Sequence, residues 1–316
     1  MKAAVVKEYG GPDAIGYEDV PFPEVQQGEI LIRVASSTLN PADALIYGGA
    51  LQEMFQVDFP YTPGLDVAGL VEQVGSGVTT FAPGDRVFGF LDMTRGGGAA
   101  EYVVTTVPTV AKAPTTCSLG EAAAFASSGL TAWQALFDHA QLKEGQRVLI
   151  TASAGGVGVM AVQLAKAQGA YVIGTASPQR FEMLKGLGAD EVVDYSADIL
   201  SMVAEPVDVI INLAPFTSPV DPLLQLLKKD GILVSATLPA DVAEAERLGV
   251  HAIQMAVQHN AEQLGKIASL VDQGKAKAVI SERFPIAATA EAHGKVGSTY
   301  AKVLLIADES LAVSKG

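Results

Sequence analysis

The sequence predicts an α/β protein built from two units, a barrel-like β unit and a doubly wound parallel sheet. Two observations carry this prediction. Short apolar runs separated by turn residues fill the first third of the chain, and from Arg147 onward apolar runs alternate with amphipathic helical patterns. The 316 residues are enough for two domains. We expect the β unit to comprise residues 1–122 and 258–316, and the parallel-sheet unit to comprise residues 123–257.

The β unit is indicated by strand-like runs in the first third of the chain. These runs are AAVV, EILIRVA, DVAGLVEQVG, RVFGF and EYVVT. Turn chemistry separates them, in GGPD, FPYTPG and APGD, which is typical of a compact barrel-like unit. Around Ser118 the pattern changes, and LGEAAAFASSGLTAWQALF has the length and apolar spacing of a helix.

The parallel sheet is indicated by nearly continuous apolar strands that alternate with helices. The predicted strands are RVLIT, AYVIGTA, EVVDY, VDVIINL and GILVSA, and the clearest helices are VGVMAVQLAKAQ and PQRFEMLKGLG. Strands of this composition are covered on both faces, which suits a doubly wound fold. The last segment reads as a helix followed by strand, helix and strand, and we expect it to rejoin the β unit.

Composition excludes several classes of protein. The formal charge of −14 and the absence of a basic stripe argue against binding to nucleic acid or to an acidic membrane. Cys117 is the only cysteine, so an intrachain disulfide and a multi-cysteine zinc site are excluded. No apolar run approaches the roughly 18 residues of a membrane span. We expect a soluble, cytoplasmic protein.

The stretch ASAGGVG, at residues 152–158, lies between a predicted strand and a predicted helix. Ala152, Gly155 and Gly158 occupy the three positions of the dinucleotide fingerprint, with alanine in place of the first glycine. Small residues permit the turn and let the backbone approach a pyrophosphate, while the helix N-terminus offers unpaired N–H groups. The alternative is a small-residue turn that only aids helix packing; the strands and helix around it favour dinucleotide binding.

The residues that follow the second strand favour NADPH over NADH. A NAD-specific site usually has Asp or Glu near position 175 to bond the ribose 2′-OH, whereas this chain reads GTAS at 174–177. The Ser177 hydroxyl and the Arg180 guanidinium are available to bind a 2′-phosphate. Alternatively, Arg180 is a solvated helix residue. Ser177 before Pro178 also has the pattern of a helix N-cap.

A zinc site is not expected. Catalytic zinc needs about three Cys, His or carboxylate ligands from the protein. None of the four histidines pairs with another at metal-ligand spacing on one helix; they are His139, His251, His259 and His293. The sequence therefore predicts a hydride-carrying cofactor, no metal and no evident Lewis acid.

Six collinear motifs carry a family resemblance. They are LNPAD (39–43), FPYTPGLDVAG (59–69), PGDRVFG (83–89), AEYVV (100–104), GLTAWQAL (129–136) and ASAGGVG (152–158). Together they resemble the zinc-independent, quinone-oxidoreductase-like branch of the medium-chain dehydrogenase/reductase superfamily, which includes zeta-crystallin. The resemblance implies a GroES-like β-barrel domain and a Rossmann domain. Zinc-binding relatives have a Gly-His-Glu triplet where this chain has Gly64, Leu65 and Asp66, so the metal ligands are implied to be replaced.

The resemblance places the catalytic candidates in the β unit. It implies that Asn40 lines the cleft for nicotinamide and substrate, and it makes Asp43 and Tyr47 candidates for the same cleft. The alternatives are that Asn40 and Asp43 only cap a short helix after Pro41, and that Tyr47 is a rim aromatic without a chemical role. Asp66 is expected to be a turn or packing residue.

The resemblance also implies the cofactor-binding residues. Thr131 is implied beside the phosphates or the nicotinamide, and Ser177, Arg180 and Tyr195 near the 2′-phosphate and its ribose. Lys302 matches a basic residue that the family commonly precedes with Gly, where this chain has Ala301. The implied phosphate loop comprises Ser153, Ala154, Gly155, Gly156, Val157 and Gly158.

The implied activity is NADPH-dependent reduction of quinones or other conjugated enones by a homodimer. We expect direct hydride transfer to the β-carbon, or the equivalent ring position, of the acceptor, with Asn40 or Tyr47 donating a hydrogen bond to its oxygen. One alternative is a zinc-free alcohol dehydrogenase or an enoyl-thioester reductase. The other is a non-catalytic, crystallin-like protein that binds NADPH.

Overall fold

The computed structural model describes residues 1–54 and 56–315, which divide into two compact units. Unit 1 comprises Met1–Ser127 and the segment that begins at His259, and unit 2 comprises Ser128–Gln258. The boundaries drawn from the sequence, after residues 122 and 257, lie five residues and one residue before these divisions. No helix within the described residues is long and apolar enough to cross a membrane.

The first part of unit 1 is a β structure with one short helix. Its elements are β1 (Lys2–Val6), β2 (Ile15–Asp19), β3 (Glu29–Thr38), α1 (Pro41–Tyr47), β4 (Asp66–Val74), β5 (Arg86–Phe90), β6 (Tyr102–Thr106) and β7 (Val110–Lys112). The strand-like runs predicted from the sequence correspond to β1, β3, β4, β5 and β6, so these strands are confirmed. Alternate residues such as Ile30, Ile32 and Val34 form the core, as the period of a strand requires.

The helical stretch after Ser118 is confirmed, but it is broken into short pieces. It comprises α2 (Leu119–Ala122), a 3₁₀ turn (Ala123–Phe125), α3 (Ala126–Trp133) and a π-helical segment (Gln134–His139). Ser118 caps α2, because its hydroxyl accepts the Glu121 N–H at 3.3 Å while the Glu121 carboxylate accepts the Ser118 N–H at 3.1 Å.

Unit 2 contains a parallel sheet with helices between its strands. Its elements are β8 (Arg147–Ile150), α4 (Gly156–Ala167), β9 (Tyr171–Ala176), α5 (Phe181–Gly186), β10 (Glu191–Asp194), α6 (Ile199–Met202), β11 (Val207–Asn212), β12 (Leu227–Ser235), α7 (Val242–Leu248) and β13 (His251–Gln254). The strand order is β10-β9-β8-β11-β12-β13 and all pairings are parallel, which confirms the doubly wound sheet. β13 was not predicted, because HAIQ is short and largely exposed.

The C-terminal segment returns to the β structure of unit 1. Its elements are α8 (Ala261–Asp272), β14 (Ile280–Pro285), α9 (Thr289–His293), β15 (Lys302–Ile306) and α10 (Glu309–Ala312). β15 pairs antiparallel with β3, so that Leu304 lies opposite Thr38. The predicted return of the chain end is therefore confirmed. The larger sheet of unit 1 has the order β14-β15-β3-β4-β5-β7, and β6 also pairs with β3.

Candidate active site

The predicted dinucleotide loop lies at the carboxyl ends of the strands of unit 2. β9 and β10 lie on one side of β8, and β11, β12 and β13 lie on the other side. In open α/β sheets, ligands bind outside the carboxyl ends of the strands at such a switch point. Residues 151–155 leave β8 at this point and lead into α4. The topology thus gives the loop the position that dinucleotide binding requires.

Two glycines allow the backbone to pack closely here. A Cβ atom on Gly158 would lie 2.5 Å from both the Ala152 carbonyl oxygen and the Ser153 Cα, and one on Gly174 would lie 2.6 Å from the Ser153 Oγ. In contrast, a Cβ atom on Gly155 would meet, among the described residues, only the Ala152 oxygen at 3.2 Å. The N-terminus of α4 is therefore open at Gly155, which fits the approach of a pyrophosphate.

The alanine at the first fingerprint position adopts a conformation that favours glycine. Ala152 has a φ of 47°, in the left-handed region. Its N–H donates to the Thr175 Oγ1 at 3.1 Å, and its carbonyl accepts the Gly155 N–H at 2.9 Å. These bonds hold the tight turn although a Cβ atom is present.

Ser153 faces the interior of unit 2. Its hydroxyl is buried and donates to the Thr175 carbonyl at 2.9 Å, and its N–H donates to the same oxygen at 3.0 Å. The side chain thus fastens the loop to β9 and does not present its hydroxyl to a ligand. The following residues of the predicted phosphate loop, Ala154, Gly155, Gly156 and Val157, are partly exposed, whereas Gly158 is buried. In the first turn of α4, N–H groups have no intrahelical acceptor.

Ser177, Arg180 and Tyr195 lie at the ends of two neighbouring strands. Asp194 of β10 pairs with Ala176 of β9, so Ser177 and Tyr195 are the next residues on adjacent strands. Pro178–Arg180 forms a 3₁₀ turn with Ser177 at its N-cap, and Tyr195 is 67% exposed. The structure therefore brings the three predicted residues to one corner of the sheet.

A carboxylate at this corner is already hydrogen-bonded within its own turn. Asp194 Oδ1 accepts the Ser196 N–H at 2.9 Å and the Ser196 hydroxyl at 2.8 Å. The residues at this corner thus carry a hydroxyl, a guanidinium and a phenol, and the carboxylate among them is hydrogen-bonded to Ser196. Hydroxyl and guanidinium donors suit a phosphate ester.

The sequence interpretation missed a polar ladder at the same end of the sheet. The Thr151 hydroxyl donates to Asn212 Oδ1 at 2.8 Å, and Asn212 Nδ2 donates to Ser235 Oγ at 2.9 Å and to Thr237 Oγ1 at 3.1 Å. The sequence signal that could have identified this ladder is a polar residue at or just after the end of each apolar strand, at Thr151, Asn212 and Ser235. Thr131, which was predicted beside the cofactor, lies in α3 and is 9% exposed.

In unit 1, the partly exposed Asn40 contacts a buried polar cluster formed by strand ends. Thr38 ends β3, Asp66 begins β4 and Lys302 begins β15; these strands are neighbours in the sheet. Asn40 Nδ2 donates to Asp66 Oδ2 at 3.0 Å, and Lys302 Nζ donates to Asn40 Oδ1 at 2.6 Å and to Asp66 Oδ2 at 2.9 Å. Lys302 was predicted to bind the cofactor, whereas in the structure its ammonium is hydrogen-bonded to Asn40 and Asp66.

Asp66 is held as a carboxylate although it is buried. Burial raises the pKa of this carboxyl, but the Lys302 ammonium and the hydrogen bonds from Thr38 and Asn40 outweigh burial and hold its pKa below the usual value. Thr38 Oγ1 makes a short hydrogen bond to Asp66 Oδ2, and the Ser127 N–H donates to Oδ1 at 2.7 Å. The expected turn or packing residue is therefore the anionic centre of this cluster.

Asn40 and Asp43 also shape the start of α1. Asn40 is the N-cap residue, Pro41 follows it, and Asp43 Oδ2 accepts the Asn40 N–H at 3.1 Å. Asp43 Oδ1 accepts the Gly64 N–H at 2.8 Å. Burial raises the pKa of Asp43 to about 7. The Asp43 side chain thus caps the helix, as the alternative interpretation expected, whereas the Asn40 side chain contacts Asp66 and Lys302.

Tyr47 lies inside unit 1. Its side chain is buried, its hydroxyl oxygen lies 3.0 Å from His293 Nδ1, and the two rings meet edge to face. Burial raises the pKa of Tyr47 above its usual value. Within unit 1, Tyr47 is therefore neither a rim aromatic nor an exposed donor for a ligand oxygen.

The residues of this region do not fit a metal ion. Across residues 1–54 and 56–315, no group of three or more His, Cys, Asp or Glu side chains is arranged to hold one. Leu65 is buried and apolar, and the cation that contacts Asp66 is the Lys302 ammonium. Leucine and asparagine side chains are poor zinc ligands.

Comparison with known families matches both units. The family described as "Alcohol dehydrogenase GroES-like domain" matches residues 26–115, and the family described as "Zinc-binding dehydrogenase" matches residues 156–250. These matches agree with the β structure of unit 1 and the doubly wound sheet of unit 2.

Individual proteins match over nearly the whole chain. The chloroplast envelope quinone oxidoreductase homolog of Arabidopsis thaliana is 34% identical over 314 residues, which is 93% of this chain and 94% of that protein. The quinone oxidoreductase of Mus musculus is 32% identical over 97% of this chain and 98% of its own. The solved structure of the quinone oxidoreductase from Coxiella burnetii superposes with a TM-score of 0.88 at 32% identity, covering 97% of this chain and 99% of that one.

Proposed function

This chain belongs to the quinone-oxidoreductase branch of the medium-chain dehydrogenase/reductase superfamily, and we propose that it reduces quinones or other conjugated enones with NADPH. The observation that carries the proposal is the glycine loop at the switch point of unit 2. A loop open at Gly155 and closely packed at Gly158 suits a dinucleotide pyrophosphate. The relatives' names supply the class of acceptor.

The choice of NADPH over NADH rests on the corner formed by Ser177, Arg180 and Tyr195. The hydroxyl and the guanidinium at the end of β9 bind the 2′-phosphate, and Tyr195 lies beside them at the end of β10. A guanidinium forms charge-assisted, bidentate bonds with phosphate oxygens, which explains a preference for the phosphorylated coenzyme.

In this proposal, the reaction needs orientation more than chemical activation. When bound, the reduced nicotinamide supplies a hydride, and the acceptor takes up that hydride and one proton from water. A conjugated carbonyl is already electrophilic, so a hydrogen bond to its oxygen is enough assistance and no metal is required. Asn40, which is partly exposed, donates that bond. Tyr47 has no such part, because it is buried against His293.

The proposal includes a homodimer that forms through the edge of the parallel sheet. β13 is the edge strand after β12, and three of its four residues, His251, Ile253 and Gln254, are exposed. An exposed edge strand offers unpaired N–H and carbonyl groups to a second copy. Size-exclusion chromatography with light scattering distinguishes dimer from monomer, and Gln254→Pro, which removes an N–H on the side of β13 that faces away from β12, should shift a dimer to monomer.

The test of the function is a coenzyme titration followed by an acceptor screen. Fluorescence titration gives the Kd for NADPH and NADH, and NADPH oxidation is then measured with a quinone, an alkenal and an alkenoyl thioester. Simple alcohols are tested with NADP⁺. We expect turnover with the quinone or alkenal that survives exhaustive chelation, while a zinc-dependent alcohol dehydrogenase treated in parallel loses its activity.

Each other outcome contradicts the proposal in a specific way. Turnover only with the thioester or with alcohols identifies another oxidoreductase. Tight NADPH binding without reduction of any acceptor identifies a non-catalytic protein. Loss of turnover on chelation, restored by zinc, overturns the metal-free reaction.

A further inference from the structure

The carboxamide of Asn40 is held from both ends by opposite charges. Lys302 Nζ lies 2.6 Å from Asn40 Oδ1, and Asp66 Oδ2 lies 3.0 Å from Asn40 Nδ2. A flip of the amide would bring its NH₂ group against the ammonium and its oxygen against the carboxylate. Both contacts would be repulsive, so the ion pair permits one orientation of the amide.

The ion pair that does this is fully enclosed. The Lys302 side chain is 5% exposed and the Asp66 side chain is 0% exposed, and their Nζ and Oδ2 atoms lie 2.9 Å apart. Desolvation of two buried charges offsets most of their attraction, so a buried ion pair is seldom explained by stability alone. Stability does not explain why both charges contact the Asn40 carboxamide.

The surrounding residues fix the carboxylate and leave one amide hydrogen of Asn40 weakly bound. Thr38 and Ser127 donate to Asp66, the latter through its N–H at 2.7 Å and its hydroxyl at 3.0 Å. One hydrogen of Asn40 Nδ2 is used by Asp66, while the other contact of Nδ2 is a long one, 3.4 Å to Thr38 Oγ1. A ligand oxygen can compete for this second hydrogen.

We propose that the Lys302–Asp66 ion pair is a positioning device that orients the Asn40 carboxamide so that Nδ2 donates its second hydrogen to the carbonyl oxygen of the acceptor. The proposal rests on the proposed function. Lys302 is thus a positioning residue that acts through Asn40 and does not bind the coenzyme. A cation at the amide oxygen also polarises the amide, which strengthens its N–H as a donor.

The first test separates a role in turnover from a role in folding. Lys302→Met and Asp66→Asn each leave an uncompensated buried group and lower the urea midpoint of unfolding, whereas the double variant removes both charges and recovers much of that midpoint. We expect the double variant to stay about tenfold or more below wild type in kcat, with its Kd for NADPH within about twofold of wild type. Recovery of both the midpoint and kcat would show a purely structural role.

The second test asks whether Lys302 acts through Asn40. Lys302→Met is made in wild type and in the Asn40→Ala variant, and the loss of kcat is compared. We expect a loss of about tenfold or more in wild type and less than about twofold in the Asn40→Ala background, because interactions within one unit are not additive. Equal losses in both backgrounds, or a large rise in the Kd for NADPH, would overturn the proposal and favour coenzyme binding.

The third test does not depend on activity. The asparagines of the chain are Asn40, Asn212 and Asn260, so protein labelled with ¹⁵N-asparagine gives few side-chain NH₂ signals, and Asn40→Ala assigns the signal of interest. Lys302→Met should shift that signal and speed its exchange with water, because the amide loses its partner. An unchanged signal refutes the positioning role. If the signal changes but no quinone or enone is reduced, the proposed function fails and the contact itself stands.

Lys295→Met is the matched control. Lys295 lies in the same C-terminal segment and pairs with Glu282 at 2.9 Å, but its side chain is 40% exposed. Removal of an exposed ion pair should leave kcat, the Kd for NADPH and the Asn40 signal close to wild type. Loss of kcat in this control would show that any lysine replacement in the segment disturbs the protein.

Discussion

His293 Nδ1 lies 3.0 Å from the Tyr47 hydroxyl oxygen, and both side chains are buried in unit 1. The other ring nitrogen, Nε2, is buried and has no hydrogen-bond partner among the described residues. Burial lowers the pKa of His293 to about 4, so the ring is neutral in the folded protein at neutral pH. Burial of His293 therefore links the stability of unit 1 to pH.

Replacement of His293 by Asn should change how stability depends on pH. The pKa of this histidine is near 6.5 when unfolded and about 4 when folded, so its contribution is complete above pH 6.5 and is lost as the pH falls toward 4. Relative to the variant, the wild type should lose about 2 kcal/mol of unfolding free energy between pH 8 and pH 5. Asparagine preserves a polar partner for Tyr47, and urea unfolding at several pH values gives the measurement.

The comparison must be made between variants, because Asp43 acts in the opposite direction. Burial raises the pKa of Asp43 to about 7, so stability from this group is lost as the pH rises from about 4 to about 7. The two groups partly cancel in the wild-type curve, and the difference curve isolates His293. His139→Asn, in the π-helical segment of unit 2, is the control. A difference curve that is flat from pH 5 to pH 8 would contradict the assignment.

Replacement of Arg180 by Ala should weaken NADPH binding and leave NADH binding nearly unchanged. Loss of a charge-assisted bond to the 2′-phosphate raises the Kd for NADPH about 10- to 100-fold. Lys185→Ala is the control, since Lys185 lies on α5 and pairs with Glu182 at 3.3 Å. Fluorescence titration with both coenzymes is the measurement; equal losses for NADPH and NADH would show that Arg180 does not bind the 2′-phosphate.

Alanine at Gly155 and at Gly158 should have different effects. The new Cβ atom at Gly158 would lie 2.5 Å from backbone atoms, so the variant should lose about 1–3 kcal/mol of stability or more. At Gly155 the nearest contact is 3.2 Å and φ is −76°, so the fold should be kept while the Kd for NADPH rises about tenfold. Thermal unfolding and titration test both variants. Unchanged NADPH binding in Gly155→Ala would move the pyrophosphate away from this loop.

Ala301→Gly and Gly265→Ala should each stabilise the protein, because each residue has a backbone conformation that favours the other residue type. Ala301 has a φ of 49°, where glycine is favoured, and Ala301→Gly should gain about 0.5 kcal/mol. Gly265 lies inside α8 with no described atom within 4 Å of a new Cβ, and Gly265→Ala should gain about 0.5–1 kcal/mol. Urea unfolding is the measurement. Destabilisation by Ala301→Gly would mean that the left-handed conformation carries no cost there.

The sequence alone determined the features that depend on local pattern. The period of apolar residues identified β3, β8 and α4, and the fingerprint identified the loop from Ala152 to Gly158, because strand, helix and turn preferences act over a few residues. β13 escaped notice since its four residues are largely exposed and leave no apolar run. Six motifs along the chain pointed to the family that the comparisons show.

Only the tertiary structure decided which side chains meet. Lys302 and Asp66 are 236 residues apart, and Thr151 and Asn212 are 61 apart, so no local pattern connects them. The same holds for Ser153, whose hydroxyl turns inward to β9, and for Tyr47, which is buried against His293. Strand pairing sets these contacts, because it brings the ends of distant segments together and so determines which groups are desolvated and which stay exposed to a ligand.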